Sequence, residues 1–182
     1  FERIEAQEAA SDALADFHNR ISQTALSPDR AERSRQIEQI CLEFDRLALK
    51  LFPIELGHFT VPDQKTISSK YKNAAFEQKR TLRSMLAALV LASSGESEVT
   101  VDGNSPLYQI FTHTQENNPA AGKTVLSLDS FNNIRTDMYR ACRDKYDLLT
   151  LVTILSLHDT TKLKTVSEAV ERSSGIKSIN HD

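Results

Sequence analysis

The chain has 182 residues, a formal net charge of −3 and a pI near 6.0. This length is enough for one well-buried core. The slightly acidic balance argues against a dedicated nucleic-acid-binding protein, which usually carries a basic surface. No apolar run approaches the roughly 18 residues that span a bilayer, so we expect no membrane span. With only five Gly and five Pro, and plentiful Ala, Leu and Glu, the composition predicts an all-α fold, a multi-helix bundle.

The cysteines predict the cellular compartment, and the first residue bears on whether the sequence is part of a longer protein. Cys41 and Cys142 lie far apart and in no metal-ligand spacing. Two such cysteines are typical of buried apolar positions in a reducing compartment, which predicts a cytoplasmic protein. The sequence begins at Phe1 without an initiator Met. We therefore expect a fragment of a longer protein.

The N-terminal third predicts a helical hairpin over 1–53. The stretch 1–25 has a loose helical stripe of apolar residues and few helix breakers. Ser27-Pro28-Asp29 predicts a helix start, with Ser at the N-cap and Pro at the first helical position. The next helix has an apolar face at three- and four-residue steps, and Phe52-Pro53 ends it. That face consists of Ile37, Ile40, Cys41, Phe44, Leu47, Ala48 and Leu51.

The rest of the chain, 54–182, is predicted to be a helical domain, itself part of a longer one, on which the hairpin packs. Residues 54–66 are expected to be irregular, and Val99 with Val101 to form a small β excursion. Ser94-Gly95 and Ser173-Ser174-Gly175 are expected to stop helices. The predicted helices cover 68–93, a short stretch from Ser105-Pro106 to Phe111, 130–143, 148–158 and 165–172, with a polar loop at 115–123.

The segment 148–157 is the most apolar stretch of this domain. Seven of its ten residues are Leu, Val or Ile and none is charged. Its β-branched content and lack of period are compatible with a buried strand as well as a helix, but its length and helical neighbours favour a helix. We expect it to be among the most buried stretches.

His158 and Asp159 follow this run directly, and Lys162 comes next. An imidazole and a carboxylate side by side can bind one divalent cation, and a buried Asp needs a partner because desolvating a lone carboxylate is costly. The pattern of a bulky apolar helix, His-Asp, a short pair and Lys resembles the second motif of the HD superfamily of metal-dependent phosphohydrolases. The resemblance covers 148–162.

This resemblance implies an HD-domain-like fold and a metal-dependent phosphohydrolase or phosphodiesterase. His158 and Asp159 would bind a divalent metal (Mg, Mn or Fe), and Lys162 would face the phosphate of a nucleotide or another phosphoester. The family also uses an upstream His, for which His113 is the nearest candidate. Some members add a downstream His, for which His181 in the terminal His181-Asp182 pair is the candidate.

The sequence departs from the family pattern at two points. Thr161 stands where a Gly commonly precedes the Lys, and His113 lies further from His158 than the family leads one to expect. The alternative is a non-catalytic helical binding or regulatory module, either a degenerate HD domain or an unrelated bundle. In that case His158 and Asp159 cap helices, and His113 is a hydrogen-bonded loop residue.

Three other features of the sequence give weaker indications of function. Residues 117–124 are a near miss for a phosphate-binding loop, since Asn117 replaces the required Gly. His18 and His58 are expected in polar or loop surroundings without partners at ligand spacing. A basic stretch predicts a solvated helix face that attracts phosphorylated substrates only if the catalytic hypothesis holds. Its residues are Lys70, Lys72, Lys79, Arg80 and Arg83.

Overall fold

The computed structural model describes residues 2–67, 70, 72–92, 98–116 and 125–175, with side chains from Ile4 onward. Its α-helices are α1 (Glu2–Ser22), α2 (Arg30–Leu51), α3 (Pro53–Gly57), α4 (Ala74–Leu91), α5 (Pro106–Glu116), α6 (Leu128–Ala141), α7 (Lys145–Leu157) and α8 (Lys164–Ser174). Two short 3₁₀ turns cover His58–Thr60 and Thr160–Lys162. The described residues contain no strand, which confirms the predicted all-α fold.

Short polar side chains fix where the helices begin. Asn73, Ser127 and Asp144 cap α4, α6 and α7 by accepting hydrogen bonds from backbone N–H groups of the first turn. At α2 the N-cap is Asp29, which accepts from the N–H of Glu32, so the sequence prediction of Ser27 as N-cap was wrong. The predicted stop of the last helix at Gly175 is confirmed. That glycine has a φ of 69°, a left-handed conformation that costs glycine little.

One hydrophobic core joins α1, α2, α4, α5, α6 and α7. Phe17 of α1 and Phe44 of α2 have ring centroids 5.5 Å apart, and Phe131 of α6 lies 5.1 Å from Phe111 of α5. α4 crosses the centre of this core and contacts α2, α5, α6 and α7. The core therefore includes residues from both predicted units, 1–53 and 54–182. The boundary between them stays a prediction.

Several predicted boundaries differ from the structure. Residues 53–60 form α3 and a 3₁₀ turn where we expected irregular chain, because Pro at the first position of a helix supports helix formation. Val99 and Val101 form no strand, and the backbone of Val101 bonds the side-chain amide of Asn132 instead. The long helix begins at Ala74 and not near 68. The predicted stop Ser94-Gly95 lies outside the described residues.

The expectation that 148–157 would be among the most buried stretches was wrong. It is helical, as predicted, within α7, but its fully buried residues are Leu148, Val152 and Ser156, at four-residue steps. Ile154 is 61% exposed and Leu157 is 46% exposed. α7 therefore packs along one face only and turns an apolar face outward. In the described part of the chain, no helix combines the length and the apolarity needed to cross a bilayer.

Candidate functional site

The His-Asp pair lies at the end of α7, where Asp159 enters the interior and His158 stays partly exposed. The helix ends at Leu157, and the backbone N–H of His158 still donates to the carbonyl of Leu155. The following 3₁₀ turn is supported by the hydroxyl of Thr160, which donates to the carbonyl of Leu157 at 2.6 Å. This change of direction leaves the His158 side chain 43% exposed and the Asp159 side chain fully buried. The two neighbours therefore face different surroundings.

Asp159 lies at the centre of a group that we call the Asp159 cluster: Glu77, Thr81, His158, Asp159 and Lys162. The Nε2 atom of His158 lies 3.3 Å from Oδ1 of Asp159, and the ammonium of Lys162 contacts the same oxygen. The hydroxyl of Thr81 donates to Oδ2 of Asp159 at 3.5 Å. Lys162 also reaches Oε2 of Glu77, with Nζ at 3.5 Å.

Sequence reasoning missed the contribution of α4 to this cluster. Glu77 and Thr81 are completely buried, although they lie in or next to a stretch that we expected to be a solvated basic face. Arg80 is tied to Glu77 at 3.2 Å, and Arg83 is tied to Asp45 of α2 at 2.7 Å, so that expectation was wrong for these residues. The sequence signal for this burial was the spacing of the two residues along the helix. Glu77 and Thr81 lie in register with the buried Ala74 and Met85.

A short backbone segment, residues 65–67, pairs with the backbone at the end of the second 3₁₀ turn, and we call this segment the strap. Thr66 and Leu163 form an isolated antiparallel β-bridge. The N–H of Ile67 donates to the carbonyl of Lys162 at 2.9 Å, and the N–H of Lys164 donates to the carbonyl of Lys65 at 2.8 Å. These bonds hold the backbone on both sides of Lys162. They fix the direction in which its side chain enters the cluster.

The charges of the cluster are arranged around one ammonium group. Glu77 and Asp159 are both fully buried, and the Lys162 residue is 8% exposed. Two buried carboxylates at close range would destabilise the fold unless a cation lay between them. Lys162 supplies that cation from within the chain, and Arg80 places a second one beside Glu77. Oε1 of Glu77 has no hydrogen-bond partner among the described residues, so the compensation is uneven.

The residues present do not fit a metal centre in this arrangement. Oδ1 of Asp159, the oxygen that lies 3.3 Å from His158, is in contact with the ammonium of Lys162. A divalent ion at that oxygen would meet a positive charge at van der Waals distance, which is strongly unfavourable. Among the described residues, no three His, Cys, Asp or Glu side chains are grouped so as to hold a metal ion.

The other predicted ligands are not brought to the cluster by the described part of the chain. His113 lies near the end of α5, where its Nε2 is 3.2 Å from Oε2 of Glu38 on α2. With Arg30 and Arg33 it lines a separate cavity of about 360 Å³. His181-Asp182 and the near-miss phosphate loop 117–124 lie outside the described residues. The assignment of these residues as ligands stays a prediction.

The structure also places the other two histidines that it describes and the two cysteines. His18, expected in polar or loop surroundings, is fully buried in α1, so that expectation was wrong. His58 is exposed in the first 3₁₀ turn. Cys41 and Cys142 are buried free thiols, and burial raises the pKa of the Cys41 thiol to about 11. A thiol of that kind is a packing residue, because the reactive form is the thiolate.

Comparison with known proteins adds no family to this description. Neither protein-family models, nor curated proteins, nor solved structures give a significant match to the chain.

Proposed function

We propose that this chain is a non-catalytic helical module used for binding or regulation, in which the Asp159 cluster is structural. One observation carries the proposal. The ammonium of Lys162 contacts Asp159 and lies 3.5 Å from Glu77, between the two buried carboxylates. An internal cation there offsets the negative charge that a catalytic metal would otherwise offset.

The position of the cluster supports a structural role. Glu77 and Thr81 belong to α4 in the core, whereas Asp159 and Lys162 belong to the turn between α7 and α8. The ion pairs therefore hold that turn against the central helix. Removing one partner of a buried ion pair is costly because an uncompensated charge remains. On this proposal, substitutions in the cluster change the stability of the domain and leave no enzymatic activity to lose.

Titration calorimetry with Mg²⁺, Mn²⁺ and Fe²⁺ tests the proposal directly. We expect the wild-type protein and Asp159→Asn to give the same heats as buffer. We also expect Asp159→Asn to lower the free energy of unfolding in urea, because Lys162 then loses a buried counter-charge. Stoichiometric metal binding by the wild type that Asp159→Asn abolishes, together with unchanged stability, would contradict a structural role.

A metal-dependent phosphohydrolase of HD type is a second candidate, and the exposure of His158 supports it. Its ring lies 3.3 Å from Asp159 yet remains 43% exposed, so a phosphoester in solution has access to the His158 ring, whereas the Asp159 side chain is buried. In this candidate His158 and Asp159 would hold the divalent ion only after Lys162 had moved away from Asp159 to face the phosphate. The remaining ligands would have to come from residues beyond those that form the described cluster.

Hydrolysis of bis(p-nitrophenyl) phosphate and of nucleotides in the presence of Mn²⁺ separates the two candidates. The second candidate requires turnover by the wild type that falls to the level of Mn²⁺ in buffer for His158→Ala and Asp159→Ala. His58→Ala, an exposed histidine in another turn, is the matched control and should keep wild-type turnover. Equal product formation by all four proteins would eliminate this candidate.

A further inference from the structure

His18 is a fully buried histidine, and the polar groups beside its ring are the backbone of Ala92 and the side chain of Asn19. It lies on the inner face of α1 together with Leu14, Phe17 and Ile21, at three- and four-residue spacing, and none of its surface is exposed. Neither ring nitrogen makes a close, well-aligned hydrogen bond to these polar groups or to any other described residue. A neutral imidazole tolerates such a place far better than an imidazolium does, because a buried charge needs compensation.

The guanidinium of Arg135 is the charged group that acts on this ring. Arg135 belongs to α6 and is fully buried. It donates to the carbonyls of Glu98 at 2.7 Å and Val99 at 3.0 Å, and also to the carbonyls of Val90 and Ala92 at the end of α4. These neutral acceptors hold the guanidinium in place without cancelling its charge. A second positive charge nearby is therefore disfavoured.

Burial, reinforced by the positive charge of Arg135, lowers the pKa of His18 from 6.5 to about 4. The Ala92 carbonyl and the Asn19 side chain oppose the shift without reversing it. The ring is therefore neutral in the folded protein near pH 7. In an exposed α1 it would take up a proton about as readily as a histidine in a peptide.

The other charges that face α1 are bound at its solvent side. Lys145 of α7 contacts Asp12 of α1 at 2.6 Å, and Glu43 of α2 contacts Arg20 of α1 at 2.9 Å. All four side chains are at least 30% exposed, so solvent screens them.

On α5, His113 is a titratable residue near the end of the helix, and its ring is hydrogen-bonded to Glu38 of α2. At the C-cap of α4, the backbone of Ala92 is an uncharged group that acts on the His18 ring. No carboxylate among these groups acts on His18 in a way that would compensate its protonation.

We propose that His18 is an acid-sensitive latch for the N-terminal helix: its neutral ring permits α1 to dock on α2, α5 and α7, and its protonation drives α1 to open. The direction of the pH effect follows from the linkage between protonation of His18 and docking of α1. Because the docked state has the lower pKa, the contribution of His18 to docking is complete above pH 6.5. It is lost as the pH falls from 6.5 towards 4. Each pH unit within this window favours the open state by up to about tenfold.

Hydrogen exchange with mass spectrometry measures the opening of α1 directly. Protection factors, corrected for intrinsic exchange, are compared at pH 7 and pH 4.5 for peptides from α1, α2 and α4. For wild-type protein we expect protection of α1 to fall by roughly 50-fold between these pH values, from the two pKa values and linkage. Protection of α2 and α4 should fall much less, because opening of α1 leaves their mutual contacts in place.

His18→Gln, which carries no charge at either pH, is the decisive variant, and His58→Gln is its matched control. We expect His18→Gln to show nearly equal α1 protection at both pH values and His58→Gln to behave like the wild type. An equal loss of protection in His18→Gln and wild type would overturn the latch. If His18→Gln does not fold, NMR titration of the wild-type imidazole decides, since a midpoint near 6.5 would overturn the proposal and one near 4 would support it.

Discussion

α4 and α7 are both rich in apolar residues, yet they are buried to very different extents. α4 crosses the core and buries nine of its residues, including the charged Glu77. α7 has an uncharged run of ten residues, 148–157, and buries only Leu148, Val152 and Ser156. Burial therefore follows from how many sides of a helix have neighbours, and not from its apolar content alone. The charge of Glu77 in α4 is buried beside two cations, Arg80 of the same helix and Lys162 of another element.

The Asp159 cluster, which joins α4 to the end of α7, should give the largest effect. Lys162→Met leaves Asp159 buried without its ammonium partner and Glu77 with Arg80 alone, and we expect a loss of about 3–5 kcal/mol in the free energy of unfolding. Urea denaturation measures it. Lys164→Met is the matched control, since Lys164 is 57% exposed and pairs only loosely with Glu168. A similar small loss in both variants would show that the buried ion pair is not what holds α7 to α4.

Leucine truncation sharpens the comparison between the two helices themselves. Leu86 of α4 is 0% exposed and Leu157 of α7 is 46% exposed. Leu86→Ala should lower the free energy of unfolding by about 2–5 kcal/mol through lost burial and a residual cavity. Leu157→Ala should cost much less, because solvent already contacts its side chain. Thermal denaturation of both variants at one pH decides the point, and equal costs would mean that the outward face of α7 is covered.

The helix caps should respond alike in the two helices. Asn73 accepts from the N–H of Phe76 at the start of α4, and Asp144 accepts from the N–H groups of Tyr146 and Asp147 at the start of α7. Asn73→Ala and Asp144→Ala should each cost about 0.5–2 kcal/mol. The unfolding free energies of the two variants provide the measurement. A cost confined to α4 would indicate that α7 frays at its first turn.

The smallest effect is expected on the outer face of α7. Ile154 is 61% exposed, so Ile154→Ser should change the free energy of unfolding by no more than about 0.5 kcal/mol. Val152→Ser, two positions away and 0% exposed, is the matched control and should be clearly destabilising. If Ile154→Ser is as damaging as Val152→Ser, the orientation of α7 described above is incorrect.

The sequence predicted the helices well because their signals are local. The apolar period of α2 and the Ser-Pro start of α5 gave these elements close to their observed positions. The glycine at the end of α8 marked its boundary for the same reason. The outward face of α7 was not predictable, because a run of Leu, Val and Ile does not show which sides have neighbours. Tertiary packing decides that.

The candidate site was only partly predictable. His158, Asp159 and Lys162 stand together in the sequence, and the structure keeps them together. The contribution of Glu77 depends on a contact across 85 positions, which no local pattern reveals. A carboxylate in register with buried residues of α4 was the available hint. That carboxylate can be recognised as part of a buried ion pair only when the cation beside it is known.

The strap around the second 3₁₀ turn also bears on the order in which the chain folds. Gln64 donates to the hydroxyl of Thr165 across 101 positions, and Lys162 meets Glu77 across 85. Contacts of such long range form late, because closing a long loop costs entropy before any contact forms. During synthesis, Glu77 leaves the ribosome well before Lys162. Until that lysine emerges, Arg80 of the same helix is the cation described beside Glu77, and the ion pair that holds the turn between α7 and α8 against α4 cannot form.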